Sequence, residues 1–102
     1  MQILIPVDDT DFEEANITLL DDVKHWILIN LEEGQVQEYK FYNTREEITV
    51  WIDVVVVKNS KEYVWPFMEA NIAVLMAPLQ RSVEDIIEAF LFKELHDFNV
   101  NM

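Results

Sequence analysis

The stretch "VVVVKNSKEYVWPFMEANIAVLMA", residues 54–77, contains two apolar runs separated by a polar and aromatic segment. The runs, 54–57 and 71–77, are apolar on consecutive residues, which is typical of strands buried on both faces of a parallel sheet. Parallel strands need a crossover connection. Pro66 fits only the first turn of a helix, so a helix should begin within a few residues before it. Asn71 suits the position just after that helix, and the stretch therefore predicts a β–α–β unit.

The residues before this unit predict a strand, a long acidic loop and a hairpin. Residues 3–7 are apolar on both faces, and the polar segment 8–22 that follows is long for a loop without ordered parts. Two further runs, 25–31 and 35–42, flank the chain's single glycine. We expect Gly34 to take a positive φ in a hairpin loop of three to five residues, and the more polar second run to be an edge strand.

Residues 44–52 fit two interpretations. Thr44 followed three residues later by Glu47 resembles a capping box and favours a short helix. The β-branched and aromatic residues that follow favour a strand. We predict the short helix, because it would supply the crossover to the buried run at 54–57.

A final helix is predicted from Ser82, which with Asp85 forms a capping-box-like start. Leu95 and Phe98 could extend the helix or anchor a docked tail. The apolar stripe of the helix consists of Val83, Ile86, Ile87, Phe90 and Leu91. The whole chain, 1–102, is thus predicted to be one α/β domain whose mixed sheet is covered by helices.

The amino-acid composition and net charge argue against several classes of function. The chain has no cysteine, which excludes disulfides, thiolate metal sites and cysteine nucleophiles. Its formal net charge is −13, and its seven lysines and arginines form no run, so we expect neither a nucleic acid nor a membrane partner. No stretch resembles a secretory leader or a membrane span, and we expect a cytoplasmic protein.

Several stretches resemble the dinitrogenase iron–molybdenum cofactor biosynthesis family, the NifX-like domains also found at the end of NifB proteins. They are "MQILIPVDD" (1–9), "WILINLEEGQVQEY" (26–39), "IDVVVV" (52–57), "MEANIAVLMA" (68–77) and "SVEDIIEAFLFKEL" (82–95). The resemblance covers nearly the whole chain. It implies a ribonuclease H-like three-layer fold, with five strands in the order 3-2-1-4-5 and helices on both faces.

The functional motifs of that family are absent here. Where members usually have a segment like His-Phe-Gly-Arg-Ala, residues 19–23 read Leu-Leu-Asp-Asp-Val, and Asp22 stands in place of the arginine. A carboxylate there would repel the anionic clusters that the family handles. The usual glycine-rich turn after the fourth strand is Lys58, Asn59, Ser60 and Lys61. We predict a candidate ligand loop that has lost cluster binding, with a small anion as the alternative ligand.

Other clusters of polar residues could be either functional sites or ordinary solvated side chains. The segment after the first strand could hold a divalent cation, although a solvated acidic loop is favoured; its carboxylates are Asp8, Asp9, Asp11, Glu13 and Glu14. Asp8 or Asp9 with Asp53 could form a metal-dependent nuclease site, but no basic groove is present for a substrate. His25 and His96 could join a carboxylate at a metal, but nothing brings them together in the sequence.

We therefore predict a non-enzymatic, cofactor-free domain that binds a protein partner or a second copy of itself. Trp65 and Phe67 are the candidate contact residues, since aromatic side chains are enriched at interfaces. The alternative is a domain that binds a small ligand or metal with the loops at the carboxyl ends of its parallel strands.

Overall fold

The computed structural model of the protein describes residues 1–98, so the last four residues of the predicted domain lie outside the described part. Two short 3₁₀ turns lie in the connections, at Leu20–Asp22 and Arg45–Glu47. The regular elements are β1 (Gln2–Val7), β2 (His25–Glu32), β3 (Gln35–Tyr42), β4 (Val54–Val57), α1 (Trp65–Glu69), β5 (Ala73–Met76), α2 (Val83–Leu91) and β6 (His96–Asp97). No helix among the described residues is both long and apolar enough to cross a membrane.

The strands form one mixed sheet in the order β3-β2-β1-β4-β5-β6. β1 is antiparallel to β2 and parallel to β4, and β4 is parallel to β5. The α/β class and the relative order of the first five strands are confirmed. The predicted count of five is wrong, because the chain after α2 adds β6 antiparallel to β5. Leu95 and Phe98, on either side of this strand, pack against opposite faces of the sheet and anchor the tail.

Alternate residues of the central strands face opposite layers of the core, as the pleat of a strand requires. Ile3 and Ile5 pack beneath α2, whereas Leu4 packs on the side of α1. The four valines of β4 divide in the same way, and all four are buried. Helices therefore cover both faces, as predicted.

The hairpin between β2 and β3 is tighter than predicted. Glu32 pairs directly with Gln35, so the loop contains only Glu33 and Gly34. Both residues have positive φ, 53° and 77°, as a type I′ turn requires. The prediction of a positive φ at Gly34 is confirmed, and the predicted loop of three to five residues is wrong because Glu33 also takes the left-handed conformation.

The predicted short helix at 44–52 is reduced to a single 3₁₀ turn. The capping box between Thr44 and Glu47 forms, with the Glu47 carboxylate accepting the Thr44 N–H at 2.9 Å. The backbone becomes extended at Ile48. β-Branched residues resist helix propagation, and Ile48 and Ile52 instead pack against the α1 side of the core.

Both helices start where the sequence predicts, and α1 also ends as predicted. Pro66 lies in the first turn of α1, and Asn71 follows that helix with φ of 61°. The Ser82 hydroxyl accepts the Asp85 N–H at 3.1 Å and caps α2. One member of the predicted α2 stripe, Leu91, is 41% exposed, and Ala89 is buried in its place.

The acidic segment after β1 is ordered by contacts to the ends of other elements. Ile17 forms a bridge with Val7 and donates its N–H to the Arg81 carbonyl at 2.8 Å. Ala15 and Ile17 are buried on the α2 side of the sheet. The segment therefore serves as part of the layer that covers this face.

Candidate functional site

The predicted ligand loop lies at the carboxyl end of β4, beside the carboxyl end of β1. The chain leaves β1 toward β2 on one side, while β4 lies on the other, so the strand order reverses at this point. Open α/β sheets bind ligands in the crevice outside such a reversal. The topology thus gives Lys58, Asn59, Ser60 and Lys61 the position of a ligand loop.

The backbone donors of this loop are already occupied by the chain's own carboxylate. One Glu62 oxygen, Oε2, accepts the N–H groups of Lys58 at 2.6 Å and Asn59 at 3.3 Å. The other oxygen, Oε1, accepts the N–H of Leu20 at 2.5 Å. Hydrogen bonds to an ionised carboxylate are stronger than those between neutral groups. Glu62 therefore joins the loop after β4 to the end of the segment after β1.

Sequence reasoning missed Glu62, because its role depends on a distant part of the chain. Leu20, which donates to its carboxylate, is 42 residues away in sequence. The four-residue spacing from Lys58 to Glu62 resembles an ordinary turn, and no motif distinguishes it. Within the loop, Asn59 shapes the chain by accepting the Lys61 N–H on its side-chain oxygen at 2.9 Å.

Several polar side chains in the connections that follow β1, β4 and β5 are exposed or lack a hydrogen-bond partner. The side chains of Lys58 and Lys61 are exposed, as is Ser60. Two side-chain oxygens, Thr18 Oγ1 and Gln80 Oε1, are buried without a hydrogen-bond partner. Thr18 lies at the carboxyl end of β1, where its N–H donates to the Pro6 carbonyl at 3.0 Å.

Three carboxylates of the acidic segment after β1 accept backbone N–H groups of the same segment. Asp8, Asp9 and Asp11 accept the N–H groups of Asn16, Thr10 and Glu13 at 2.9, 2.6 and 2.9 Å. Among residues 1–98, no three side chains of the metal-binding types converge on one point. All five acidic residues at positions 8–14 are exposed, in agreement with the favoured interpretation of a solvated acidic loop.

The nuclease arrangement is not formed, because its carboxylates lie at opposite ends of the sheet. Asp53 precedes β4 and accepts the Gln2 N–H at 2.8 Å, at the start of β1. Asp8 follows the end of β1, so the length of that strand, about 20 Å, separates the two. Two-metal catalysis requires carboxylates that converge.

The two histidines are also apart. His25, at the start of β2, lies 3.2 Å from the Asn43 side-chain oxygen through its Nδ1. His96 is exposed in β6, which lies at the other edge of the sheet from β3. The two histidines therefore do not come together at one metal, and nothing in the sequence predicted that they would.

The predicted contact residues differ in accessibility. Trp65 is 54% exposed at the start of α1, whereas Phe67 is 4% exposed. The Phe67 ring packs near Trp26, and the Arg45 guanidinium lies 4.4 Å from its centroid. Phe67 is thus a core residue, since a five-residue helix must bury its few apolar side chains to be stable. Of the pair, only Trp65 is exposed enough to contact another molecule.

Comparison with known proteins gives a likeness of fold. No family model matches the sequence, and no curated protein matches it. Among solved structures, the crystal structure of a "putative dinitrogenase" from Methanocaldococcus jannaschii has a TM-score of 0.72. Its sequence is 20% identical over 95% of this chain and 93% of that chain. The NMR structure of a "putative NifB protein" from Thermotoga gives a TM-score of 0.71 and 16% identity, over 99% and 96% of the two chains. The chain therefore shares its whole fold with proteins described in these terms.

Proposed function

We propose that this chain is a divergent, non-enzymatic NifX-like domain with the ribonuclease H-like arrangement, and that it acts by contacting another protein. The likeness to structures described as dinitrogenase and NifB proteins supports the relationship, and it extends over nearly the full length of both chains. In this proposal the domain keeps the scaffold and has lost the ligand chemistry of the relatives.

The hydrogen bonds of Glu62 carry this proposal. An anionic ligand at the reversal of strand order would need the N–H groups that its carboxylate now occupies. A second anion beside this carboxylate would also meet like-charge repulsion. The carboxylate therefore takes the place of an external anion and closes the loop that the topology would otherwise offer.

A small-ligand function is the second candidate, and it has specific support. Thr18 Oγ1, at the carboxyl end of β1, is buried without a partner, and such a group costs free energy unless something satisfies it. Lys58 and Lys61 could attract a small oxoanion if Glu62 moved away. In this case the carboxylate would act as a gate for the ligand.

Calorimetry with molybdate, phosphate, Mg²⁺ and Mn²⁺ separates the two functions. The unmodified protein is expected to give no binding heat with any of them. Glu62→Ala, which frees three N–H groups, is expected to gain measurable phosphate binding, whereas the exposed Glu46→Ala serves as the matched control and gains none. Saturable molybdate or cation binding by the unmodified protein would overturn the closed-loop proposal and favour the ligand-binding domain.

A further inference from the structure

One face of the sheet is incompletely covered among the described residues. Six strands about 4.8 Å apart span about 24 Å, whereas a helix with its side chains is about 10 Å wide. On this face, α2 is the one helix of the described chain, and the segment after β1 covers part of the remainder. A groove of about 540 Å³ remains between β3 and α2, which we call the β3–α2 groove.

The apolar part of the β3–α2 groove is formed by Phe12, Val36, Tyr39, Ile87, Leu91 and Phe92. Tyr39 is 49% exposed and Phe92 is 70% exposed, whereas Ile87 is buried at the base. The Phe12 and Tyr39 rings are in contact, with centroids 4.6 Å apart. A contiguous apolar patch with a polar rim is typical of a contact surface for another macromolecule.

The charged side chains that line the groove are both acidic. Its two charged lining residues are Glu84 and Glu88, on one side of α2. Glu13 and Glu14, next to Phe12 in the chain, are exposed as well. A partner that buries the apolar floor must therefore bring positive charge to the rim, because like charges facing each other across an interface are costly.

The groove lies beside α2, on the face of the sheet that α2 covers. It runs between α2 and the edge of the sheet, where a second helix of the layer would pack beside α2 at 8–10 Å. An amphipathic helix from a partner would complete the layer in the manner of other helix-in-groove complexes. A second copy of this chain is disfavoured, because a symmetric contact would bring the acidic side chains of both grooves into one interface.

We propose that the β3–α2 groove binds a helix of another protein whose apolar stripe is bordered by lysine or arginine. This inference rests on the proposed interaction function and assigns it a surface and a class of partner. The helix would bury Leu91 and Phe92 beneath its apolar stripe, and its cations would pair with Glu84 and Glu88.

The probe is a fluorescent peptide of about 18 residues, five helical turns, with leucine and lysine at amphipathic spacing. Binding is measured by anisotropy against two control peptides, one with glutamate in place of lysine and one with scrambled order. The lysine peptide is expected to bind and both controls to fail. Phe92→Ser and Leu91→Ser should each weaken binding about tenfold, the size of effect seen at central contact residues. Leu79→Ser, at a residue 82% exposed outside the groove, should change it less than about twofold.

Charge is tested with two double variants that change the net charge equally. Glu84→Gln with Glu88→Gln is expected to weaken binding about tenfold, whereas Asp21→Asn with Asp22→Asn should have a much smaller effect. Equal weakening by both would indicate general attraction to an acidic protein and overturn the proposal. A dimer in sedimentation that Phe92→Ser dissociates would overturn it in favour of a second copy.

The proposed function and this surface can fail separately. Loss of peptide binding in Trp65→Ala, with no effect of Phe92→Ser, would refute the groove while leaving an interaction role in place. Molybdate binding by the unmodified protein would instead refute the proposed function itself.

Discussion

At the scale of single residues, each helix is followed by a residue whose backbone takes the left-handed conformation. Asn71 after α1 and Lys93 after α2 have φ of 61° and 59°. Each of these residues donates its backbone N–H to a carbonyl in the last turn of its helix. The residue after it donates to the third-last carbonyl of the helix: Ile72 to Phe67 at 2.9 Å, and Glu94 to Ala89 at 2.8 Å. These are two Schellman motifs, in which glycine or asparagine is preferred.

The preference predicts opposite effects at the two positions. Asn71→Ala should lower the free energy of unfolding by about 1 kcal/mol, because alanine tolerates positive φ less well. Lys93→Gly should raise it by about 0.5–1 kcal/mol, since glycine removes the steric cost at a modest entropic one. Urea denaturation at unchanged slope measures both. Lys93→Ala is the matched control, and a Lys93→Gly protein no more stable than Lys93→Ala would contradict the explanation.

At the scale of elements, α2 depends on its cap as well as on its apolar stripe. The Ser82 side chain satisfies the Asp85 N–H, one of the donors left free at a helix start. Ser82→Ala should lower the free energy of unfolding by about 1 kcal/mol, and Ser82→Asp should retain most of it because aspartate caps equally well. Ser60→Ala, in the exposed loop after β4, should have little effect. Equal losses at the two serines would show that the cap is not the cause.

The elements also differ in whether the sequence alone could predict them. The buried strands and α2 were predictable, because long-range packing and local periodicity favour the same structure there. The tail strand β6 was not predictable, because a strand of two residues is too short to show a hydrophobic period. It forms because the edge of β5 offers it hydrogen-bond partners. Glu62 was missed for a related reason, since its donor at Leu20 is distant in sequence. Phe67 was misassigned because an aromatic residue in a short helix has the same pattern whether it faces core or solvent.

At the scale of the whole molecule, the charge is large for the size. The described residues extend 35 × 30 × 23 Å, and the chain carries a formal charge of −13. Within the described part, one ion pair forms, between the Met1 ammonium and Glu32 at 3.3 Å. Most carboxylates thus repel one another without local compensation, and unfolding relieves that repulsion by moving them apart.

Salt should therefore stabilise this protein. At about 0.01 M salt the Debye length is about 30 Å, comparable with the whole molecule, and at about 0.1 M it falls to about 10 Å. If screening adds about 1 kcal/mol to the free energy of unfolding, Tm should rise by about 4–8 °C for a domain of this size. Thermal unfolding followed by circular dichroism in rising KCl measures the effect, with sucrose at equal osmolarity as the control for solute exclusion. A variant with Asp21, Asp22, Glu46 and Glu69 changed to amides should start with a higher Tm and gain less from salt. Equal gains in both proteins would show that repulsion involving these four carboxylates is not the cause of the salt effect.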